Sequence, residues 1–450
     1  MKVRIALVQM PGSRLEDWAE TVALAEDLLD QAARAGAGLA LLPECVWPAY
    51  VFGAVDVYQR ARQAGMPDYT FFLERLAQRA RQHRMGICAG YVAEGPAGLA
   101  NRAVLFGPDG RTLGEYDKCF LWDFDRALFK PGRRLEVFDS PWGPVGLMIC
   151  ADARLPEIPA TLAARGARLI LQPTAWVNVG TPDQPWNPQP DVLIPERARE
   201  LGVPIASCSK CGREGHTQFM GSSIVCDADG NVVAQCPLEG TAVVLAEVEP
   251  REPRRPAVSP AQRARLLSSE PARRPAVDAR PLRLVWTPRV ERSLLDGLAA
   301  DDRDATLVLT PVRTPLAGPD ASPTVLDGPL PAPVTVGGAQ VMALSADELR
   351  SFAPVRVWAL AGVHVVLAFG SGVELRTLRC RAVENRVFVA GVTSGGMVVF
   401  DPAGRRLECA GSGLAEAALA VTVEAHQAAD KYFAPGTNPF ADRRVEMYEY

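Results

Sequence analysis

The stretch from Pro144 to Trp176 places one cysteine between a buried strand and a helix. An apolar run begins at Pro144 and ends at Cys150, where the sequence turns polar and carries helix-start signals. The run TLAARGA with Gly166 predicts a helix and its end, and RLILQPTAW predicts the next strand. The pattern is a strand–helix–strand unit with a thiol at the carboxyl edge of its sheet, where open α/β sheets usually carry their chemistry.

Two roles are open for Cys150 at this corner. The unpaired N–H groups at the start of the helix favour the thiolate, which predicts a reactive nucleophile. The alternative is an inert buried cysteine, since the chain has ten cysteines and unreactive thiols are common in protein cores. Position alone does not decide between the two, so the residues that could activate the thiol matter.

The composition excludes several classes of function. A chain of 450 residues with 48% hydrophobic residues can form two or more globular domains. A formal net charge of -4 offers no electrostatic basis for binding nucleic acid or an anionic membrane. No apolar run reaches the ~18 residues of a membrane span, and the N-terminus MKVRIALVQMPG begins a strand and lacks the features of a signal peptide. We therefore expect a cytoplasmic protein with reduced thiols.

A CxxC pattern raises the question of a metal or redox site. Cys208 and Cys211 follow the predicted strand VPIAS, and Cys226 and Cys236 come later in the chain. The second pair is too widely spaced for a zinc knuckle, and no histidine pair accompanies it. We therefore expect no metal at these cysteines.

Two polar residues share the placement of Cys150 at a strand end. The predicted strand GLALLPE ends at Glu44, and the hairpin RAVLFGPDGRTLGEYDK ends at Lys118. A thiol needs a base or a nearby positive charge to attack a carbonyl, and none of the four histidines shares a motif with Cys150. Glu44 can act as the base, and Lys118 with the backbone N–H of Ala151 can stabilise an oxyanion. These residues predict amide hydrolysis through a cysteine thioester, with no metal or organic cofactor.

These motifs, in this order, resemble the nitrilase, or carbon–nitrogen hydrolase, superfamily. The likeness covers LLPE with Glu44, EYDK with Lys118, the segment FKPG, GLMICAD with Cys150, and GSSIVCDADG, and it spans about residues 1–280. The resemblance implies an α/β fold built as a four-layer α-β-β-α sandwich, self-association through helices, and a Glu-Lys-Cys triad.

Members of this superfamily often have a second carboxylate shortly before the F-x-P-G segment. Here DFDRALFKPG places Asp125 at that position, with Asp123 beside it. The resemblance therefore assigns Asp125 to orienting Lys118 or the amide nitrogen. The alternative is a surface acid paired with Arg126.

The residues after the cysteine indicate the substrate class. True nitrilases of this superfamily commonly have Trp-Glu there, whereas Cys150 is followed by ADARLPE, which is closer to the Cys-x-Asp-x-Arg-x-Pro-Glu pattern of amidases and carbamoylases. An amide or N-carbamoyl substrate is therefore favoured over a nitrile. Arg154 could bind a substrate carboxylate bidentately, and the alternative is a local ion pair with Asp152 or Glu157.

Three residues farther along the chain complete the candidate list. Trp176 and Asn178, in the segment PTAWVN, are expected to line the substrate pocket. A core tryptophan is the alternative for Trp176. Phe219, in the loop before the second hairpin, is expected in the core.

The second half of the chain repeats the first half in shortened form. After an Arg/Pro-rich segment that forms no core of its own, five stretches match earlier ones in the same order. The pairs are LRLVWTP with VRIALVQMP, LVLTPVRTP with LALLPECVWP, VMALSADELR with GLMICADARL, VENRVFVAGV with ARELGVPIAS, and VVFDPAGRRLECA with IVCDADGNVVAQC.

The second copy lacks the residues of the proposed chemistry. Val312 replaces Glu44, Ser345 replaces Cys150, and the stretch that would carry a lysine is missing. We therefore expect residues 1–280 to form the catalytic domain. We expect residues 281–450 to form an inactive, truncated copy that packs against the first as a built-in partner, with a homo-oligomer left open.

The leading hypothesis is a cysteine-dependent hydrolase that acts on a small amide or N-carbamoyl compound. A nitrilase or an acyltransferase would use the same triad, because all three make the same thioester. A different class is a binding or assembly subunit whose catalytic residues are relics.

Overall fold

The computed structural model describes residues 2–181, 183–255, 257–288, 294, 305–310, 324–372, 374–411 and 418–450. The chain folds into two compact units. The first consists of Met1–Arg255, Ala434–Thr437 and Asp442–Tyr450, and the second of Pro256–Phe433 and Asn438–Ala441.

Thirteen strands in the described part of the first unit join in one sheet with the main order β5-β4-β3-β2-β1-β9-β8-β7-β6. Strand β13 pairs with β1, strands β10 and β11 pair with β9, and β12 pairs with β11. The strands are β1 (Val3–Pro11), β2 (Leu39–Leu41), β3 (Gly86–Gly95), β4 (Gly98–Phe106), β5 (Thr112–Asp117), β6 (Val137–Phe138), β7 (Val145–Leu147), β8 (Leu169–Thr174), β9 (Ile205–Glu214), β10 (Thr217–Met220), β11 (Ile224–Cys226), β12 (Val232–Gln235) and β13 (Ala242–Val248).

The helices of the first unit follow the periodicity of the sequence. They are α1 (Trp18–Arg34), α2 (Val55–Gln63), α3 (Tyr69–His83), α4 (Asp125–Leu128), α5 (Glu157–Ala164) and α6 (Ile194–Leu201). The apolar face of α1 contributes Val22 and Leu29 to the core, and α3 contributes Phe72 and Leu76, as 3.6-residue spacing predicts. Helix α3 begins after Asp68, whose side chain accepts a hydrogen bond from the N–H of Thr70.

The direction of the strands explains why three loops meet. Strands β3, β2, β1, β9, β8 and β7 run parallel to their neighbours. Strand β5 is antiparallel to β4, which is antiparallel to β3, so β5 runs in the same direction as this central group. The carboxyl ends of β2, β5 and β7 therefore lie at the same edge of the sheet.

Two predicted strand ends were wrong by a few residues. Strand β2 ends at Leu41 and β7 at Leu147, so Glu44 and Cys150 each lie three residues beyond a strand. The chain leaves β2 because Pro43 has no N–H for the ladder, and the N–H of Glu44 donates instead to the carbonyl of Thr174, 3.2 Å away.

The strand expected to end before the CxxC pair continues through it. Strand β9 runs to Glu214 and contains both Cys208 and Cys211, which are fully buried. Residues three apart in a strand project to opposite faces, so the two thiols do not share a ligand position. The described residues contain no group of His, Cys, Asp and Glu that could hold a metal ion, and none of their helices is both long and apolar enough to cross a membrane.

The described part of the second unit contains a five-stranded sheet, β16-β15-β14-β24-β23, and a six-stranded sheet, β17-β18-β19-β20-β21-β22. The strands are β14 (Leu282–Trp286), β15 (Ala305–Leu309), β16 (Thr324–Leu326), β17 (Val334–Val336), β18 (Ala339–Ser345), β19 (Val365–Phe369), β20 (Phe388–Thr393), β21 (Gly396–Phe400), β22 (Arg406–Leu407), β23 (Ala410–Gly411) and β24 (Leu419–Val423). The helices are α7 (Pro260–Leu266), α8 (Phe352–Leu360) and α9 (Leu375–Asn385).

The Arg/Pro-rich segment is more ordered than its composition predicts. Helix α7 lies within it and begins with a capping box of Ser259 and Gln262. Leu266 at its end is fully buried, so the segment contributes an apolar contact to the second unit.

Candidate active site

Three charged side chains form a fully buried cluster at the shared edge of the sheet. The Nζ atom of Lys118 lies 2.7 Å from Oε1 of Glu44 and 2.6 Å from Oδ2 of Asp125. All three side chains have no solvent exposure. Glu44 and Asp125, which lie 74 and 7 positions from Lys118 in the sequence, thus form one hydrogen-bonded group with it.

Glu44 is held from both sides by the sheet. Its Oε1 also accepts a 2.7 Å hydrogen bond from Asn101 on β4. The Glu44 segment lies directly against Gly90 on β3, where a Cβ atom would come within 2.6 Å of the Cα of Glu44. Only glycine permits that approach. The second oxygen, Oε2, is buried and has no hydrogen-bond partner among the described residues. This oxygen can therefore accept a proton without first losing a hydrogen bond.

The electrostatics of this cluster follow from burial and from a surplus of negative charge. Burial raises the pKa of Glu44, and the charge of Asp125 adds to the rise, whereas Lys118 opposes it. Burial lowers the pKa of Lys118, but Asp125 and Glu44 outweigh it and hold that pKa well above its usual value. Lys118 therefore stays charged, while Glu44 can take up a proton at a higher pH than a free glutamate.

Asp125 lies at the first turn of α4 and is oriented by its own loop. Its Oδ2 accepts a 2.9 Å hydrogen bond from the N–H of Trp122 as well as the one from Lys118. The alternative of a surface acid paired with Arg126 does not describe it, because Asp125 is buried and Arg126 forms an ion pair with Asp442.

Cys150 begins a 3-10 helix (Cys150–Arg154) directly beyond β7, at the predicted corner between strand and helix. Its φ of 44° is in the left-handed region, which costs a non-glycine residue of the order of 1 kcal/mol or more. Gln172 on β8 fixes this conformation by donating a 2.8 Å hydrogen bond to the carbonyl of Cys150. The residue is buried and 6% exposed, whereas Glu44, Lys118 and Asp125 have no exposed surface.

The expectation that the corner favours the thiolate was wrong. Burial and the negative charge of Glu44 raise the pKa of Cys150 to about 12, although Lys118, the hydroxyl of Thr174 and the N–H of Ala175 act in the opposite direction. The resting thiol is therefore protonated. Attack on a carbonyl would require a base to remove this proton, and Glu44 is the carboxylate whose charge acts most strongly on the thiol.

Asp152 joins the cysteine loop to the loop that follows β5. Its Oδ2 accepts hydrogen bonds from the N–H of Ile149 (2.9 Å) and the hydroxyl of Tyr116 (2.8 Å), and its Oδ1 accepts one from the N–H of Phe120 (2.7 Å). Burial raises the pKa of Asp152 to about 6, although these hydrogen bonds oppose the rise. Asp152 thereby connects the two segments that flank Lys118 and Cys150.

The substrate-binding candidates lie in different surroundings. Arg154 is buried, and its guanidinium carbon lies 4.5 Å from the centroid of the Trp122 ring. Ala151 is buried in the first turn of the 3-10 helix. Trp176 is fully buried, and its indole N–H has no hydrogen-bond partner among the described residues. Asn178 orders its own loop, because its Oδ1 accepts hydrogen bonds from the N–H groups of residues 180 and 186.

Two residues that contact the cluster were not predicted. The hydroxyl of Tyr50 lies 3.4 Å from Nζ of Lys118, and Asn101 donates to Glu44 as described above. Tyr50 stacks on Phe219, with ring centroids 6.3 Å apart, and the predicted core placement of Phe219 is confirmed. A polar amide in the apolar strand LANRAVLF was an available signal for Asn101, whereas nothing near Tyr50 in the sequence marks it.

A second buried ion pair supports Tyr50. Nζ of Lys210 lies 2.8 Å from Oε2 of Glu214, and both residues are 1% exposed. The other oxygen of Glu214 accepts hydrogen bonds from the N–H groups of Tyr50 and Val51. The end of β9 therefore holds the loop that presents the tyrosine to Lys118.

Comparison with known proteins identifies the family of the chain. Residues 4–254 match the model of the carbon-nitrogen hydrolase family. The chain belongs to the carbon-nitrogen hydrolase family. The match begins in β1 and ends at residue 254. The first unit's segment Met1–Arg255 ends one residue later.

Relatives of this carbon-nitrogen hydrolase cover its first half. A nitrilase from Pyrococcus abyssi (strain GE5 / Orsay) is 31% identical over 249 residues, which are 55% of this chain and 90% of that protein. Omega-amidase NIT2 from Homo sapiens is 30% identical over 258 residues, 55% of this chain and 88% of that protein. A crystal structure of an amidase from Nesterenkonia sp. is 28% identical, with a TM-score of 0.47, and covers 56% of this chain and 91% of that chain.

Proposed function

We propose that this carbon-nitrogen hydrolase is an amidase that cleaves a small linear amide or N-carbamoyl compound through Cys150. The observation that carries the proposal is the buried group of Glu44, Lys118 and Asp125, in which the charges of Glu44 and Lys118 act on the buried thiol of Cys150. A protonated thiol beside an ionised, desolvated carboxylate is the arrangement that base-assisted attack on a carbonyl requires. A relative named omega-amidase supports an amide substrate.

The reaction begins when Sγ of Cys150 attacks the carbonyl carbon and its proton passes to Glu44. The carbonyl oxygen becomes an oxyanion, which Lys118 and the N–H of Ala151 stabilise. The carbon–nitrogen bond then breaks as Glu44 returns the proton to the leaving nitrogen, which departs as ammonia or an amine. Positioned acid–base transfer of this kind typically contributes ~10²–10⁴-fold, and each oxyanion donor ~3 kcal/mol.

Water completes the cycle. It loses a proton to Glu44 while its oxygen attacks the thioester carbon, the carbon–sulfur bond breaks, and the proton returns to Sγ of Cys150. One water is consumed for each amide cleaved. Asp125 does not exchange a proton in this scheme: it holds Lys118 in place, and its negative charge keeps the ammonium protonated throughout.

Arg154, Trp176 and Asn178 stay predictions as substrate-binding residues. Arg154 stacks on Trp122, in the loop that carries Asp125, which supports a location near the reacting group. Asn178 is engaged with its own loop, and this supports a role in shaping the loop more than one in direct recognition.

Hydrolysis of a nitrile is the second candidate, because a relative of 31% identity is named a nitrilase. Addition of the same thiol to a nitrile carbon would use the same base and the same lysine. The run ADARLPE after the cysteine favours the amide, as argued from the sequence.

For the architecture we propose a four-layer sandwich with a truncated second copy. In the first unit β1 is parallel to β2 and antiparallel to β13, and in the second β14 is parallel to β15 and antiparallel to β24. The order β6-β7-β8-β9-β11-β12 has the same directions as β17-β18-β19-β20-β21-β22. This correspondence supports a duplication.

One hairpin repeats in atomic detail between the two units. The N–H of Asp227 donates to the carbonyl of Asn231, and Oδ1 of Asp227 accepts hydrogen bonds from the N–H groups of residues 229 and 231. Asp401 makes the same three hydrogen bonds with Ala403 and Arg405. The two turns lie at equivalent positions of the proposed copies, which supports the duplication.

The second copy is proposed to be inactive. Ser345, in the position that matches Cys150, caps a 3-10 helix by pairing with Glu348 at 2.9 Å, and Val312 lies outside the described residues. The assignment of residues 1–280 and 281–450 to the two copies, the packing of the halves, a homo-oligomer and a cytoplasmic location stay predictions.

The test is ammonia release across a panel of short aliphatic amides, ω-amides, N-carbamoyl amino acids and matching nitriles. Cys150→Ala should abolish release, whereas Cys409→Ala, which removes a more exposed thiol, should leave it unchanged. Release from nitriles and not from amides would select the second candidate. Full activity in Cys150→Ala, or no release from any compound, would contradict the proposed function.

A further inference from the structure

The last residues of the chain belong to the catalytic unit. Ala434–Thr437 and Asp442–Tyr450 are part of the first unit, although Pro256–Phe433 of the second unit precede them in the sequence and Asn438–Ala441 lie between them. We call these two segments the C-terminal clamp. They contact the two parts of the first unit that carry the proposed chemistry, namely the loop with Asp125 and the helix that follows Cys150.

The first contact is at the turn before Asp125. The N–H of Asp123 donates a 2.7 Å hydrogen bond to Oγ1 of Thr437, which is fully buried. Asp123 has a φ of 35°, a left-handed conformation that is costly for a residue other than glycine and must be held by its surroundings. On the far side of Asp125, Arg126 forms an ion pair with Asp442 of the clamp. The clamp thus contacts the chain on both sides of Asp125, the carboxylate that binds Lys118.

The second contact runs along α5, which follows the cysteine loop. Arg443 of the clamp lies 3.4 Å from Glu157, the first residue of α5, and both side chains are almost fully buried. Near the end of the helix, the N–H of Glu449 donates a 3.0 Å hydrogen bond to Oγ1 of Thr161, and its carboxylate lies 2.6 Å from Arg165. The clamp therefore follows the helix from its first turn to its last.

We propose that Thr437 is a positioning residue for hydrolysis at Cys150. Its hydroxyl holds the strained turn at Asp123, this turn sets the position of Asp125, and Asp125 orients Lys118 toward the reacting carbonyl. The rest of the clamp lies along α5. The catalytic unit is completed by residues that lie after the second unit in the sequence. The inference rests on the proposed function.

The geometry identifies which variants separate positioning from folding. Thr437→Val keeps the shape of the side chain but removes the oxygen that accepts from Asp123. Thr437→Ser keeps that oxygen and removes only a methyl group. Arg165→Ala removes a clamp contact that is remote from Asp125, because this arginine pairs with Glu449 at the other end of α5.

The first experiment measures kcat and KM for amide hydrolysis in the full-length chain. Thr437→Val should lower kcat about tenfold or more with a smaller change in KM, because a misplacement of ~1 Å can cost ~10²-fold. Thr437→Ser should stay within about twofold of the original chain, and Arg165→Ala likewise. Equal kcat values in the Val and Ser variants would overturn the proposal.

The second experiment does not depend on the substrate. Alkylation of Cys150 by iodoacetamide, followed by mass spectrometry of the cysteine peptide, reports how well Glu44 and Lys118 assist the thiol. Slower alkylation in Thr437→Val than in Thr437→Ser supports positioning even if no amide is hydrolysed, in which case the proposed function alone fails. Equal alkylation rates with normal amide hydrolysis would overturn the positioning role and leave the proposed function intact.

A folding control completes the design. Thermal unfolding of each variant shows whether a loss of kcat merely follows a loss of structure. If Thr437→Val does not fold, Asp442→Asn replaces it, because that change weakens the ion pair with Arg126 on the other side of Asp125. A lower kcat in a folded Asp442→Asn chain supports the clamp, and an unchanged kcat there would overturn it.

Discussion

The carboxylate of Glu44 and the ammonium of Lys118 meet at 2.7 Å with both side chains fully buried. Asp125 contacts the same ammonium at 2.6 Å, so two carboxylates share one positive charge. The surplus negative charge, together with burial, raises the pKa of Glu44 and keeps the thiol of Cys150 protonated at rest. In the proposed mechanism, Glu44 is the carboxylate that accepts the proton that the thiol of Cys150 still holds.

Glu44→Gln tests the base directly. The amide keeps an acceptor for Asn101 and Lys118 but cannot take a proton, so kcat should fall ~10²–10⁴-fold while the fold is kept. Ammonia release and the rate of alkylation of Cys150 should fall together, because both need the thiol proton to leave. Glu247→Gln, a surface change in an exposed ion pair, is the control. Undiminished alkylation in Glu44→Gln would show that another group removes the proton.

The pH dependence of kcat/KM follows from the direction of two pKa shifts. Activity requires ionised Glu44, so it should fall as the pH drops through the raised pKa of Glu44, at a higher pH than for a free glutamate. Lys118 keeps its proton because its pKa is raised well above the usual value, so no alkaline decline should arise from the lysine below about pH 10.

The contribution of Glu44 to the free energy of unfolding changes with pH in the opposite direction to activity. The folded-state pKa of Glu44 lies above the unfolded value, so folding favours the protonated form, and the stabilising contribution is present at low pH and lost as the pH rises through the folded-state pKa. Profiles of kcat/KM and of thermal unfolding, each compared with Glu44→Gln, measure both effects. An acid limb that persists unchanged in the residual activity of Glu44→Gln would assign it to another group.

Asp125→Asn separates orientation from charge. The variant keeps Oδ1 or Oδ2 as an acceptor for Lys118 but removes one of the two negative charges around the ammonium. The pKa of Lys118 should decrease, and kcat should fall by about tenfold or more, since a displaced oxyanion donor costs up to ~10²–10³-fold. Arg126→Gln, next to it on α4 but directed at Asp442, should cost less. Equal losses in the two variants would indicate that the loop matters and the carboxylate does not.

The local parts of this site could be predicted from the sequence. The run that ends at Cys150, the strand before Glu44 and the hairpin that leads to Lys118 are encoded by apolar periodicity and turn residues within short windows. Parallel strand direction then brings their ends to one edge of the sheet. The interpretation of Asp125 benefited from the F-x-P-G segment beside it.

The parts that depend on distant contacts could not be predicted in the same way. The protonated state of Cys150 results from burial and from Glu44. The strands that precede these two residues, β7 and β2, are separated by three other strands of the sheet, so no local pattern reports that balance. Tyr50 reaches Lys118 because Glu214 holds its backbone. Thr437 reaches Asp123 across more than three hundred residues, so only the folded chain reveals it.

The pair of Lys210 and Glu214 gives the last prediction. Both side chains are buried. Removing one partner of a buried ion pair typically lowers the free energy of unfolding by ~3–5 kcal/mol, because the other charge stays buried without a partner. Lys210→Met and Glu214→Gln should each destabilise the first unit by that order. Glu214→Gln should also lower kcat, because its oxygen accepts from the N–H of Tyr50 and its new amide group would face the ammonium of Lys210.

A double-mutant cycle separates the ion pair from the backbone contacts of Glu214. The double variant should be less destabilised than the sum of the single variants, with a coupling of about 0.5–3 kcal/mol, as for residues in direct contact. The loss of kcat, in contrast, should be no smaller in the double variant than in Glu214→Gln, since Met at position 210 cannot restore the support of Tyr50. Denaturant titration and ammonia release measure the two quantities. Additive stabilities would mean that Lys210 and Glu214 do not stabilise each other, and the support of Tyr50 would then rest on Glu214 alone.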